Sequence, residues 1–258
     1  MDVLLNINDL CYMNLFSDLN MYIEKNTLNI VSGPNNCGKT TLMRILDRSI
    51  NTETNIIIHG KEISEYKDSD YSNILQVVFP NRIIFHEKYL LDELKIQTEE
   101  IDNDKIEYLL SKLNLKKSQN KDISQLTEKE IILTQIAIAI LNTKEIVAID
   151  ELDNYFDDKE LIKLYKVFKE IIKEYDLTFI ITSINLNPSI YSDNIFIIHN
   201  GKVVLKGEPL RVLDKDNILN KIGLNIPFII DLSVKLRDYD LLNEIKLNQE
   251  SLIDKLWK

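Results

Sequence analysis

Residues 33–40 read Gly-Pro-Asn-Asn-Cys-Gly-Lys-Thr, the most specific motif in the chain. It matches the pattern G-x-x-x-x-G-K-[ST], which in a phosphate-binding loop lies between a strand and a helix. Both neighbours are predicted here, because the run Thr27–Ser32 has the character of a strand and Lys39–Arg48 has that of a helix. The motif therefore occurs in the context that phosphate binding requires, and an ordinary glycine turn is a much weaker interpretation.

Each residue type in this loop has a chemical reason. Glycine lets the backbone approach phosphate oxygens closely, and the amide N–H groups at the start of a helix favour an anion. Lys39 is predicted to contact the β- and γ-phosphates of a nucleotide, and Thr40 to bind Mg²⁺ through its hydroxyl. The candidate nucleotide-binding residues of the loop are Gly33, Pro34, Asn35, Asn36, Cys37, Gly38, Lys39, Thr40 and Thr41.

A second motif lies much further along the chain. The apolar run Ile146–Ile149 ends in two carboxylates, Asp150 and Glu151. Acidic pairs at strand ends are common, so this pair gains its meaning from the phosphate loop. Together the two motifs predict that Asp150 holds Mg²⁺, chiefly through water because this ion dehydrates reluctantly. Glu151 is then the candidate to orient or deprotonate an attacking water.

Short β-rich runs alternate with helical patterns along the chain, which predicts an α/β fold. Glu145–Ile149 and Thr178–Thr182 are apolar without strict alternation, as expected for parallel strands that helices cover on both faces. Helical periodicity fills residues 85–142, which predicts a helical insertion, and it returns in Asp158–Glu174 and after Asp214. The other predicted strands are Thr27–Ser32, Asn55–His59, Ile74–Phe79 and Asn194–Ile198.

Composition limits the classes of function. The chain has 258 residues, of which 45% are hydrophobic and 28% charged, as in globular proteins that bury a core. A net charge of −10 argues against a nucleic-acid partner, because phosphate neutralisation needs clustered Lys and Arg. No apolar run is long enough to cross a bilayer and no basic signal segment begins the chain, so a membrane role requires a partner. Cys11 and Cys37 lack metal-ligand spacing and are expected to be free thiols.

These motifs resemble those of the ATP-binding cassette (ABC) ATPases. GPNNCGKTTL at 33–42 is similar to the phosphate loop of that family, and AIDELDNYFD at 148–157 to its Walker B strand and D-loop, with Asp157 as the D-loop aspartate. NIIIHGKEI and IFIIHNGKVVLKG resemble two of its glycine turns. The resemblance implies ATP and Mg²⁺ as ligands. It also implies a P-loop NTPase core of the ABC ATPase type at residues 1–215, a helical subdomain inserted at about 86–142, and a C-terminal helical extension at 216–258.

Three further stretches resemble the energy-coupling factor transporter ATPases within this family. They are QVVFPN at 76–81, LLDEL at 90–94, and GLNIP at 223–227 with the helical stretch that continues to Trp257. In that group two ATPases lie under a membrane coupling subunit, which works with a substrate-binding membrane protein to import vitamins or transition-metal ions. The resemblance therefore implies these partners and a peripheral position on the cytoplasmic face of the cell membrane.

Several active-site positions depart from the family pattern. Pro80 stands in place of the Q-loop glutamine and Ser183 in place of the switch histidine, and we count Ser183 with Lys39 and Glu151 among the candidate catalytic residues. The L-S-G-G-Q signature corresponds to residues 126–130, which read Leu-Thr-Glu-Lys-Glu, so a hydroxyl remains and both glycines are lost. We expect ATP binding to be retained better than hydrolysis, because the phosphate loop is intact while groups that act in the reaction are missing.

The resemblance also shapes the expected assembly. In an ABC dimer each nucleotide site combines the phosphate loop of one chain with the signature of the other, so a homodimer would repeat every departure. We therefore expect a heterodimer with a more regular ATPase, and weak hydrolysis by this chain alone. Two other interpretations remain open, namely a soluble ABC ATPase of another assembly and a nucleotide-bound scaffold that never turns over.

Four further residues have two interpretations each. Tyr12 either stacks on adenine, as an aromatic residue does in this region of the family, or packs in the core. Cys37 is either a redox-sensitive thiol at a helix N-terminus or a small filler. Asp92 and Glu93 either dock a basic helix of the membrane partner or form a solvated helix face.

Overall fold

A computed structural model describes residues 2–50, 52, 55–82, 85–96, 102–246 and 249–256 of the chain. The strands in this part are β1 (Val3–Tyr12), β2 (Phe16–Glu24), β3 (Leu28–Ser32), β4 (Ile56–Ile58), β5 (Lys61–Glu62), β6 (Leu75–Val78), β7 (Ile146–Ile149), β8 (Thr178–Ser183), β9 (Asn194–His199) and β10 (Lys202–Gly207). The α-helices are α1 (Lys39–Leu46), α2 (Asp68–Ile74), α3 (Leu90–Ile96), α4 (Asn103–Lys112), α5 (Glu128–Asn142), α6 (Asp158–Tyr175), α7 (Pro209–Leu213), α8 (Asp216–Lys221), α9 (Phe228–Asp238) and α10 (Gln249–Leu256). Short 3₁₀ turns occur at Ile63–Glu65, Ile123–Gln125, Leu152–Asn154 and Pro188–Tyr191.

The larger sheet has six strands in the order β10-β9-β3-β8-β7-β6. All neighbours in it pair in parallel except β10, which pairs antiparallel with β9 at one edge. In the register, Ser32 lies opposite Ser183 and Ile149 lies opposite Ile181. The carboxyl ends of β3, β8 and β7 therefore meet at one edge of the sheet, where the phosphate loop and the Asp150–Glu151 pair both begin.

Apolar residues cover both faces of this sheet, as the sequence predicts. In β7, Val147 and Ile149 belong to one hydrophobic cluster, whereas Ile146 and Ala148 belong to the other. Neighbouring residues of a strand point to opposite faces, so both faces of β7 are buried. The helix α6 covers one face, and its Phe168 stacks on a strand residue, Phe179, with 4.6 Å between ring centroids.

A second, antiparallel sheet has the order β2-β1-β4-β5. The sequence analysis missed β1 and β2, because irregular pairing breaks the two-residue alternation that identifies a strand. The register shifts between Val3 and Leu5 and twice between Ile7 and Cys11. Asp9 adopts a φ angle of 48°, so the polar residue stands at a backbone irregularity within the strand.

The predicted helices agree with the structure. The helix α4 buries Ile106, Leu109 and Leu110, and α6 runs from Asp158 to Tyr175. Residues 97–101 of the helical insertion and Trp257 of the tail lie outside the described residues. Within the described part of the chain, no helix combines the length and the apolar character needed to cross a membrane. The limits proposed at 1–215, 86–142 and 216–258 stay predictions.

Candidate nucleotide-binding site

The loop between β3 and α1 depends on its two glycines for its shape. A Cβ atom on Gly33 would lie 2.3 Å from the backbone carbonyl oxygen of Ile198. Gly38 has a φ angle of 104°, and a Cβ atom on it would lie 2.6 Å from the ring of Phe16. A side chain at either position would displace the loop, so both glycines of the motif are required by packing, and Gly38 by its conformation as well.

Lys39 lies inside the loop, with 4% of the residue exposed. Its Nζ donates to the carbonyl oxygens of Gly33 at 3.1 Å and Pro34 at 3.3 Å. The same nitrogen lies 3.6 Å from Oε1 of Glu151. The two sequence motifs therefore meet at this ammonium group, whose partners offset the cost of burying a charge.

A cavity of about 350 Å³ lies beside this loop. It is lined by Leu15, Asn35, Asn36, Gly38, Lys39, Thr40, Thr41 and Glu151. The structure thus brings most of the predicted loop residues together with the predicted base. The predicted site residues that do not line this cavity are Gly33, Pro34, Cys37, Tyr12, Asp150 and Ser183.

Asp150 follows β7 directly, next to Glu151 of the cavity lining, and 8% of the residue is exposed. Its Oδ1 accepts a hydrogen bond of 2.6 Å from the hydroxyl of Thr182, at the end of the neighbouring strand β8. The backbone N–H of Glu151 donates to the same hydroxyl at 2.9 Å. Thr182 was missed by the sequence analysis, although its position at the end of an apolar strand beside the acidic pair was a usable signal.

Glu151 has a strained backbone and a restrained side chain. Its φ angle is 48°, in the left-handed region that few non-glycine residues adopt. Its Oε2 accepts a 3.2 Å hydrogen bond from the side-chain amide of Asn154, while Oε1 faces Lys39. Backbone strain of this kind persists only where neighbouring contacts enforce it, and it is frequent at active sites.

Ser183 makes contacts away from the cavity. Its hydroxyl donates to Oδ2 of Asp153 at 2.8 Å, and 1% of the residue is exposed. The backbone N–H groups of Ile184 and Asn185 donate to the same carboxylate oxygen, at 2.8 and 3.0 Å. Asp153 therefore ties the end of β8 to the 3₁₀ turn after Glu151, and Ser183 takes part in that tie.

In the segment after β6, Pro80 is buried and has no polar side chain to offer to the cavity. Beyond it, Arg82 places its guanidinium 4.5 Å from the ring centroid of Phe79 and 3.8 Å from Oδ2 of Asp47, which follows α1. Both interpretations of Glu93, as a docking residue and as part of a solvated helix face, were wrong, because Glu93 is fully buried and accepts hydrogen bonds from backbone N–H groups in the preceding loop.

The segment in the signature position begins α5 with a capping box. Thr127 accepts from the backbone N–H of Glu130, and the Glu130 carboxylate accepts from the backbone N–H of Thr127. The same carboxylate also accepts from the Ser118 hydroxyl and lies 3.1 Å from Nζ of Lys121. These hydrogen bonds, led by the one from Ser118, lower the pKa of Glu130 to about 2. The start of α5 is thus occupied by a carboxylate of the chain itself.

Because of the Glu130 carboxylate at the start of α5, we expect the free energy of unfolding to depend on pH. Because folding lowers the pKa of Glu130, the contribution of Glu130 is present above its ordinary pKa of 4.5 and is lost as pH falls towards about 2. Glu130→Gln should therefore lower the free energy of unfolding at pH 7 and reduce its decline between pH 4.5 and 3, measured by urea denaturation. Glu107→Gln, which removes a surface ion pair with Lys116, is the control. An unchanged decline in Glu130→Gln would contradict this assignment.

Lys129, which stands in place of a signature glycine, links α5 to α6. Nζ of Lys129 contacts both carboxylate oxygens of Glu160, at 2.5 and 2.7 Å. Glu160 in turn closes a capping box with Asp157, the D-loop aspartate of the resemblance. The backbone N–H of Glu160 donates to Asp157 and lowers the pKa of that carboxyl. One ion pair therefore joins the signature position to the helix that follows the D-loop.

Tyr12 lies before the loop in the chain and Cys37 lies within it. Tyr12 ends β1 and pairs with Phe16 across a short turn, in which Leu15 lines the cavity. Burial raises the pKa of the Cys37 thiol more than the nearby charge of Lys39 lowers it. Since the thiolate is the reactive form, this favours the interpretation of Cys37 as a small filler.

The side chains around the cavity fit a magnesium ion that arrives with a nucleotide. Across the described residues, no group of three or more His, Cys, Asp or Glu side chains is arranged to hold a metal by itself. Mg²⁺ usually takes one or two protein oxygens together with substrate phosphates. Thr40 and Glu151 line the cavity, and Asp150 precedes Glu151 in the chain, so the side-chain oxygens of these residues suit that mode of binding.

The fold and the cavity define a P-loop protein, with a glycine loop and a buried lysine between a central strand and a helix. A family profile described as "ABC transporter" matches residues 16–154, and the chain belongs to that family. The predicted family and the predicted α/β class with a P-loop NTPase core of the ABC ATPase type are thereby confirmed. The family binds ATP, generally with Mg²⁺.

Relatives with curated names extend over most of the chain. The energy-coupling factor transporter ATP-binding protein EcfA1 of Mesomycoplasma hyopneumoniae strain 7448 is 23% identical, over 99% of this chain and 98% of the relative. The petrobactin import ATP-binding protein YclP of Bacillus subtilis strain 168 is 25% identical, over 83% and 88%. Among solved structures, cbiO1 of Clostridium perfringens, part of the ABC transporter complex cbiONQ, matches with a TM-score of 0.74 and 19% identity. The match covers 92% of this chain and 100% of that one.

Proposed function

We propose that the chain is an ATP-binding subunit of an ABC importer of the energy-coupling factor type. One observation carries the nucleotide part of this proposal, namely the single cavity that joins Lys39, Thr40 and Glu151. Lys39 would contact the β- and γ-phosphates, and Thr40 with Asp150 would hold Mg²⁺. Glu151 would orient or deprotonate the attacking water. Binding of ATP would draw the Lys39 ammonium from Glu151 towards phosphate.

The importer part of the proposal rests on the relatives that carry energy-coupling factor and import names. By analogy the partners are a second ATPase, a membrane coupling subunit and a substrate-binding membrane protein, with this chain on the cytoplasmic face of the membrane. The transported substrate would be a vitamin or a metal ion. Affinity purification from detergent-solubilised membranes should recover a membrane subunit, and recovery of soluble proteins only would favour another assembly.

We further propose that ATP hydrolysis by this chain alone is weak. Pro80 has no amide side chain to offer, Ser183 bonds to Asp153, and Glu128 and Lys129 replace the two signature glycines. Losing one group that handles a proton or a developing charge typically lowers a rate about 100- to 1,000-fold. These departures support a heterodimer in which the second ATPase supplies a regular signature and switch.

The heterodimer proposal makes a direct prediction. The purified chain should bind Mg·ATP but hydrolyse it at least about 100-fold more slowly than the complex with its second ATPase, measured as phosphate release in a single turnover. Adding a second ATPase whose own base, at the position that corresponds to Glu151, is replaced by Gln leaves only the site of this chain to be measured. Full magnesium-dependent turnover by the isolated chain would contradict the proposal. Binding without turnover in the complex would favour the scaffold interpretation.

A further inference from the structure

The two hydroxyl residues at the end of β8 face in opposite directions. Neighbouring side chains of a strand alternate between its two faces. Ser183 bonds to Asp153, whereas Thr182 bonds to Asp150 and to the backbone of Glu151. The hydroxyl that serves the acidic pair is therefore that of Thr182, one residue before the position that the family resemblance singles out.

The direction of the hydrogen bonds around Thr182 follows from chemistry. The backbone N–H of Glu151 can only donate, so the Thr182 hydroxyl accepts at 2.9 Å. Its single proton is then available to Asp150, whose Oδ1 lies 2.6 Å away. Thr182 is fully buried, so water does not compete for these bonds. The Thr182 hydroxyl thus fixes the rotation of the Asp150 carboxylate. It also fixes the strained backbone that presents the Glu151 carboxylate.

We propose that Thr182 is a positioning residue for magnesium-linked nucleotide binding. Its hydroxyl holds Asp150 with Oδ1 occupied, so that the other carboxylate oxygen is left for the ion or a water bound to it. It also holds Glu151 at the edge of the cavity. Side chains that orient the ligands of a metal commonly change metal affinity about 10- to 100-fold when they are removed. This inference rests on the proposed nucleotide site and adds the residue that aligns its acidic half.

The experiment compares ATP affinity with and without magnesium. Calorimetry gives the dissociation constant of ATP in Mg²⁺ and in EDTA. The constant in EDTA divided by the constant in Mg²⁺ is the ratio that measures the contribution of the ion. Thr182→Val keeps the branched shape and removes the hydroxyl, so the ratio should fall roughly tenfold while affinity in EDTA stays within about twofold. Thr182→Ser keeps a hydroxyl and should restore most of the ratio.

Thr178→Val is the matched control. Thr178 begins the same strand, is equally buried, and accepts a 2.9 Å hydrogen bond from the backbone N–H of Asn26. The substitution removes one buried hydroxyl at the opposite end of β8, so it should leave the ratio unchanged. If Thr182→Val does not fold by circular dichroism, Thr182→Ala is measured in its place.

Two results would overturn the inference while leaving the nucleotide site intact. One is a ratio of dissociation constants for Thr182→Val or Thr182→Ala that equals the ratio for the unaltered chain. The other is an equal loss in Thr178→Val, because that would make the effect one of general stability. Absence of any magnesium effect in the unaltered chain would instead overturn the proposed site itself, and the inference with it.

Discussion

Lys39→Ala should abolish most of the ATP affinity of this chain. The ammonium is the one charged group of the loop that lies in the cavity, and hydrogen bonds to charged groups contribute about 1.5–3 kcal/mol each. Loss of its contacts to two phosphates should therefore weaken binding by roughly 100-fold or more. Isothermal titration with Mg·ATP measures the affinity, and the thermal shift at saturating nucleotide provides a second readout because ligands that bind the folded state raise its stability.

The control for this change is a lysine with a surface ion pair. Lys25 lies 3.3 Å from Asp2 and is half-exposed, so Lys25→Ala removes the same charge far from the loop motif. It should bind Mg·ATP as the unaltered chain does. If Lys39→Ala retained the affinity and thermal shift of Lys25→Ala, the cavity would not be the nucleotide site.

Glu151→Gln should change binding and hydrolysis in opposite directions. The amide cannot accept a proton from water. In an assembled transporter whose second ATPase has lost its own base, single-turnover hydrolysis should therefore fall by about 100- to 1,000-fold. At the same time the substitution removes the ion pair with Lys39, which lies 3.6 Å away. Partly exposed ion pairs contribute up to about 1 kcal/mol, so freeing Lys39 for phosphate should tighten ATP binding by up to roughly fivefold.

The opposite effects on ATP affinity and on hydrolysis distinguish a catalytic base from an acidic residue with a structural role only. A residue that only stabilised the loop would lose both affinity and rate when altered. Glu145→Gln is the matched control, because Glu145 precedes the same strand and pairs with His59 at the other end. Weaker ATP binding by Glu151→Gln, or hydrolysis equal to that of Glu145→Gln, would contradict the proposed role.

The central sheet could be predicted from sequence because burial on both faces leaves little choice of residue. The runs at β7 and β8 are apolar at successive positions, and each lies within one residue of its predicted limits. In the second sheet, β4 lies within the predicted run Asn55–His59, but β1 and β2 could not be found in the same way. Its strands β1 and β2 contain bulges, so the polar residues Asp9 and Asp18 interrupt the alternation on which strand prediction depends.

The candidate site likewise has residues that the sequence predicts and residues that it does not. The loop residues and Glu151 form a contiguous motif, and the structure gathers them around one cavity. Thr182 acts on the acidic pair through hydrogen bonds and belongs to no motif. Asn154 lies within the motif at 148–157, but the sequence does not indicate its hydrogen bond to Glu151. Ser183 occupies a position that the family marks, yet strand alternation turns its hydroxyl away from the acidic pair. Contacts of this kind depend on which face of a strand a residue occupies, and a family pattern does not contain that information.

The hairpin of β9 and β10 supports two segments of the candidate site. Ile198 presents its carbonyl oxygen to Gly33 of the phosphate loop, while Gly201 packs against the backbone of Leu15, which lines the cavity, and of Ser17 in β2. An insertion between His199 and Lys202 would push on both segments together, although it adds residues only at the turn of a hairpin. Length variation there should therefore be far more harmful than in most surface turns, and this hairpin is a poor place to attach a tag or a fluorescent label.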